Sequence, residues 1–266
     1  MTQPRLESTH TLEVMKEQIE AKDETPEDRY LLEEYFKQRP AANATLIIDP
    51  DADDATALAA AVAANKDFEL LGTSADDAKV TFDTTNAGLL LTCDGANADQ
   101  MIISPHLDTN QTAWAGVLWG TENQVEFEAT IKTGASLATM QTWIGLKLTN
   151  TPVIATDDDQ LMFRYNTTDD TTAFWTVVSS IDDTDTKTVT PVAIAVDTTY
   201  KLQIKIDNAR IARFYINDVL VYTTAALTND IDLIPYVGIH ALDTTASTLI
   251  LNYMKINRVL FEWSLN

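Results

Sequence analysis

The chain has 266 residues, is 45% hydrophobic, and carries 40 acidic against 18 basic side chains for a net charge of −22. That length accommodates one large domain with an appendage, or two small ones, and the charge excludes strong backbone-directed binding to nucleic acid. No stretch approaches about twenty apolar residues, so no membrane span is expected; the N-terminus lacks the basic region and apolar core of a signal peptide, and the lone Cys93 excludes an intramolecular disulfide framework.

Residues 10–39 are rich in Glu and Lys, contain no Gly, and read as two short helices. Thr11 caps the first, with Leu12, Met15 and Ile19 on one face. The second starts at Thr25, with Pro26 in the first helical position and Asp28 three residues after the cap. Tyr30, Leu31, Tyr35 and Phe36 supply its apolar stripe, and Pro40 helps to end it. Helices this short are unstable alone in water. Residues 1–40 are therefore expected to form a helical N-terminal arm, with Leu12, Met15, Ile19, Tyr30, Leu31, Tyr35 and Phe36 as its partner-binding residues.

Residues 41–75 read as a connecting segment. "ATLIIDP" has the composition of a short strand, and "DADDATALAAAVAANKDF" that of an Ala-rich helix, with Asp51–Asp54 where negative charge suits the helix dipole. From residue 76 to 266 the pattern is β. Strands are predicted at 78–83, 87–92, 100–104, 124–132, 142–149, 160–165, 173–180, 189–194, 199–207, 210–217, 219–224, 235–241 and 247–262. Val125, Phe127, Ala129 and Ile131 alternate with Glu126, Glu128 and Thr130; Tyr200, Leu202, Ile204 and Ile206 alternate with Lys201, Gln203, Lys205 and Asp207. Many short strands separated by Asn/Asp/Thr turns predict an antiparallel β-sandwich. Within it, Asn217-Asp218 tolerates the positive φ of a tight two-residue turn, making "ARFYINDVLVY" a hairpin.

The run from "DTTYKLQIKID" through "ARFYINDVLVY" resembles the back half of concanavalin A-like (laminin-G/glucanase-type) jelly rolls, with Asp218 where that pattern usually has Gly. The wider stretch, including "DQMIISPHLDTNQTAWAGVLWGTENQVEFEATIKTG", "GLKLTNTPVIATDDDQLMFRYNT" and "LTNDIDLIPYVGI", is similar to jelly-roll structural proteins of tailed phages, marine ones especially. The resemblance covers residues 75–262 and implies a mainly β, antiparallel jelly-roll sandwich. It is more specific for the fold than for the role, because this fold hosts lectins, enzymes and scaffolds.

Catalytic motifs are incomplete. Glycosidases need two carboxylates across the scissile bond. The glucanase pattern of three acids on one strand finds Glu126 and Glu128 in "VEFEAT", but Thr130 follows, and charged residues of this kind mostly sit on a solvated sheet face. "LIIDPDADDATALAA" resembles the calcium motif of nucleoside hydrolases at Asp49, Pro50, Asp53, Asp54, Ala55, Ala57 and Leu58, but Ile47 replaces the first acid, Asp51 replaces the glycine, and the β pattern beyond residue 75 does not suit that enzyme. An EF-hand reading fails at Asp54 and Ala60. The acidic loops "ATDDDQ" and "DDTDT" read as solvated turns, with Asp157 or Asp159 as the calcium alternative.

His10, His106 and His240 are far apart in sequence, and no G-x-S-x-G motif supports nucleophilic catalysis. His240 reads as a satisfied sheet residue. Trp143 and Trp175 read as core, and Trp114 as the best surface platform for a sugar.

These readings, with the phage resemblance, lead to the expectation of a non-enzymatic virion structural protein: a capsid decoration or head-associated protein on the capsid surface. It would bind the major capsid protein or another virion protein and form a homo-oligomer, a trimer by analogy, without cofactor, metal, nucleic acid or membrane. The alternative is a carbohydrate-binding receptor module, of a tail fibre or a free lectin. A glycoside hydrolase ranks third.

Overall fold

The computed structural model describes residues 29–36, 68–93, 98–105, 117–149, 151, 157–170 and 173–259. Two antiparallel sheets face each other. In one, β13 (Val219–Ala226), β12 (Ile211–Ile216), β11 (Thr199–Ile206), β6 (Glu126–Thr133), β15 (Ser247–Val259), β4 (Gly88–Cys93) and β3 (Val80–Asp83) follow in that order, and β1 (Arg29–Glu34) pairs with β15 as the eighth strand. In the other the order is β10 (Thr184–Ala193), β9 (Phe174–Ile181), β8 (Gln160–Asn166), β7 (Met140–Lys147), β14 (Ile234–Ala241), β5 (Gln100–Pro105) and β2 (Phe68–Leu71). Every strand predicted from residue 78 onward is present, with shifted ends. The jelly-roll β-sandwich expectation holds.

Alternation places the core between the sheets. Val125 just before β6, Phe127, Ala129 and Ile131 of β6 and Tyr200, Leu202, Ile204 and Ile206 of β11 meet Ile144, Leu146, Phe163, Trp175 and Val177 of the opposite sheet. The Phe163 and Phe214 rings pack edge to face at 5.2 Å. Asn217 and Asp218 both take positive φ, 51° and 65°, as the two central residues of the β12–β13 turn. The Asn217 amide accepts a hydrogen bond from Lys201 N–H at 2.9 Å, and Asp218 pairs with Lys201 Nζ at 2.8 Å, tying the turn to β11.

The helical N-terminal arm is corrected. The described part of the arm is a strand, β1, antiparallel to β15 with Arg29 opposite Val259 and Glu34 opposite Met254. Period two, not 3.6, sorts its apolar residues. Tyr30 packs toward the core beside Trp119, ring centroids 6.2 Å apart, and Phe36 is fully buried against Phe68 at 5.7 Å. Leu31 and Tyr35 point outward, and Tyr35 lies 4.7 Å from the Tyr253 ring. The four residues thus form no common stripe; two belong to the sandwich's own core. Strand β2 falls at the end of the segment read as an Ala-rich helix and forms an edge of the seven-stranded sheet. Leu12, Met15, Ile19 and the Asp49–Asp54 motif lie outside the described residues.

Candidate functional site

Glu126 and Glu128, the acids that suggested a glucanase, sit on the outer face of the eight-stranded sheet, in register with cations. Glu128 lies 3.5 Å from Lys255 Nζ and 3.9 Å from Lys201 Nζ, and accepts a hydrogen bond from Gln203 Nε2 at 2.8 Å. Glu126 pairs with Arg29 at 3.4 Å and accepts from Asn257 Nδ2 at 3.3 Å. Each carboxylate is held in a cross-strand network.

The acidic loops are likewise engaged. Asp157 accepts from Thr149 N–H at 2.9 Å and Thr149 Oγ1 at 2.8 Å, and Asp159 accepts from Asp182 N–H at 3.4 Å. Burial pushes the Asp159 carboxyl above its ordinary range. Among the described residues no group of three or more His, Cys, Asp or Glu is placed to hold a metal ion. His10, His106 and Trp114 lie outside those residues.

The outer face of the seven-stranded sheet is different. Its strands β7, β8 and β14 are buried on both sides, so their sequences show little alternation. Register defines four rows across it. Lys147 of β7 faces Gln160 of β8, and Gln160 faces Ser180 of β9. Tyr236 of β14, Gly145, Met162 and Val178 form the next row. Then come Gly238, Trp143, Arg164 and Thr176, and finally His240, Gln141 and Asn166. Leu71, Ile102, Trp143, Met162, Val178 and Tyr236 make an apolar cluster separate from the core between the sheets. No described strand lies across this face.

Charges on the face are paired. Arg164 lies 5.4 Å over the Trp143 ring and grips Asp170 with two nitrogens, Nε at 3.2 Å and Nη2 closer. Lys187 Nζ adds a contact to Asp170 at 2.8 Å. Lys147 lies 4.9 Å over the Tyr236 ring and 3.9 Å from Asp157; burial lowers its pKa and Asp157 offsets part of that. The Tyr236 hydroxyl donates to the Thr151 carbonyl at 3.2 Å, and burial raises its pKa.

Several uncharged groups on the same face are not paired. Gln160 Oε1 and Nε2, Thr176 Oγ1, Ser180 Oγ, Trp143 Nε1 and His240 Nε2 are buried polar atoms without a hydrogen-bond partner. His240 Nδ1 lies 3.4 Å from Gln141 Oε1. Burial lowers the His240 pKa, favouring the neutral imidazole. Buried polar atoms normally find partners, and each exception calls for an explanation.

No family model and no curated protein matches the sequence. Solved structures do match in fold. A Shewanella oneidensis MR-1 protein of unknown function aligns over 97% of this chain and 98% of its own, at 13% identity and TM-score 0.53. A family 7 alginate lyase, A1-II′, solved with its product, aligns over 71% of this chain and 94% of its own, at 11% identity and TM-score 0.52. The transglycosylase Crh5 aligns over 87% and 84%, at 12% identity and TM-score 0.53. The chain is a jelly-roll, concanavalin A-like β-sandwich, and at these identities the likeness speaks for the fold alone.

Two expectations are thereby corrected. The virion reading is overturned: these fold relatives include an alginate lyase and a transglycosylase, and none of the three is named as a virion protein. The reading as a non-enzyme falls with it, because the fold is shared with enzymes. The error was one of inference from fold to role.

The core readings of Trp143 and Trp175 hold: Trp175 packs between the sheets and Trp143 is buried in the second apolar cluster. The reading of His240 changes, because it is satisfied at only one nitrogen. Gln141, Gln160, Arg164, Thr176, Ser180 and Tyr236 were not singled out from sequence. A signal was present: Gln160, Arg164 and Asn166 fall with Met162 on one face of "QLMFRYN", opposite Leu161, Phe163 and Tyr165.

Proposed function

We propose that the chain is a carbohydrate-binding β-sandwich. What supports this reading is the fold it shares with an alginate lyase and a transglycosylase. Affinity electrophoresis of the full chain through gels containing soluble polysaccharides tests it. At least one polysaccharide should retard the protein. Free migration through every polysaccharide gel contradicts the reading.

A further inference from the structure

Resting on the carbohydrate reading, we propose that a pyranose glycan docks on the outer face of the eight-stranded sheet, where Tyr35 and Tyr253 form an aromatic platform beside Glu33, Lys255 and Glu128. The opposite face offers no such surface: Tyr236, Met162 and Ile102 on its outer side have no exposure, and Trp143 has 2%. On the eight-stranded sheet, alternation leaves every second side chain of β1 and β12 partly or fully open to solvent. Tyr35, one residue past β1, is 47% exposed, and Leu31 on the same side of the strand is 41% exposed. Single exposed apolar side chains are ordinary; here they adjoin a further ring on the neighbouring strand, which makes a patch.

The rings of Tyr35 and Tyr253 have centroids 4.7 Å apart and are inclined at 47° to each other. Neither belongs to the core between the sheets, so their apolar area is not spent on packing the sandwich. The Tyr253 hydroxyl donates to Glu33 Oε2 at 3.0 Å, which fixes that ring on the sheet. Burial, and after it the Glu33 carboxylate, push the Tyr253 pKa up, so the hydroxyl keeps its proton and its donor role.

The adjoining row supplies the polar contacts. Register sets Glu33 of β1 opposite Lys255 of β15, and Lys255 opposite Glu128 of β6. The row therefore reads acceptor, donor, acceptor, with Lys255 Nζ 3.5 Å from Glu128 Oε2. A sugar hydroxyl both donates and accepts, so neighbouring hydroxyls match neighbouring members of such a row while the C–H face lies on the rings. Glu33 is exposed and Lys255 keeps 26% of its side chain open, and ion pairs that solvent reaches are weak enough for hydroxyls to insert among them. Tyr35 touches Tyr253 and Tyr253 touches Glu33, so one pyranose reaches rings and acceptor together; Lys255 and Glu128 carry the contact to the next sugar of a chain.

Affinity electrophoresis of the full chain through gels of laminarin, galactomannan, xylan and alginate separates the outcomes. The proteins compared are the wild type, Tyr35→Ala, Glu33→Ala, and Leu220→Ala at an exposed position of β13 on the far edge of the same sheet. The expected result is that at least one polysaccharide retards the wild type and Leu220→Ala equally. Affinity for that polysaccharide should fall about tenfold or more in Tyr35→Ala and in Glu33→Ala, as for the loss of one stacking ring or one good hydrogen-bonding group. Both variants should melt with the wild type, because both positions are exposed. Retardation of either variant equal to the wild type overturns the placement and leaves the carbohydrate reading standing. A loss in Leu220→Ala as large as that in Tyr35→Ala overturns it too, since the effect is then not local to the platform. Free migration of the wild type in every gel sinks the placement and the carbohydrate reading together.

Discussion

At the scale of single residues, the difference between the two sheet faces is one of pairing. Glu126 and Glu128 attract attention in the sequence because two acids sit at every-second-residue spacing, yet both are tied to cations and amides on neighbouring strands. His240 attracts less, yet one of its nitrogens is free. Its burial has a pH signature. The folded state holds it neutral and its pKa lies below the ordinary value of about 6.5. In the window between that depressed value and about 6.5 the unfolded chain binds more protons, so stability falls as pH falls through it. A melting series from pH 7.5 to about 5 should show this loss, and His240→Gln should flatten it. An unchanged slope in the variant means that His240 does not titrate between the states.

At the scale of elements, the strands from β3 onward were legible because most alternate and are bounded by Asn, Asp and Gly. The Asn217-Asp218 turn was legible because those residues tolerate positive φ. β1 was not. Its sequence RYLLEE is made of good helix formers, and what makes it a strand is its long-range partner β15, a tertiary pairing that overrides local preference. The outer face of β7, β8 and β14 was illegible for a related reason. A strand buried on both sides has no polar face to mark which residues look toward the core, so Trp143 and Trp175 read alike. The β1 assignment predicts opposite outcomes for residues that a helical stripe would group together. Phe36→Ala should destabilise by about 3–5 kcal/mol, as for a buried aromatic. Leu31→Ala should stay within about 0.5 kcal/mol, as for an exposed site. Chemical denaturation measures both; comparable losses would restore the common stripe.

At the scale of the molecule, the sandwich presents two outer faces of unlike character. The eight-stranded sheet carries cross-strand ion pairs, with Glu128 between Lys201 and Lys255 and Glu126 beside Arg29. The seven-stranded sheet carries paired charges, an apolar cluster and a set of unsatisfied neutral polar groups. Among the described residues, buried polar atoms without a partner on an outer face belong to the second sheet. Amide hydrogen exchange, with and without a saturating glycan that retards the protein in affinity gels, tests the carbohydrate reading most directly. Slower exchange in a localised set of strands is the predicted result. No change on either sheet would contradict it.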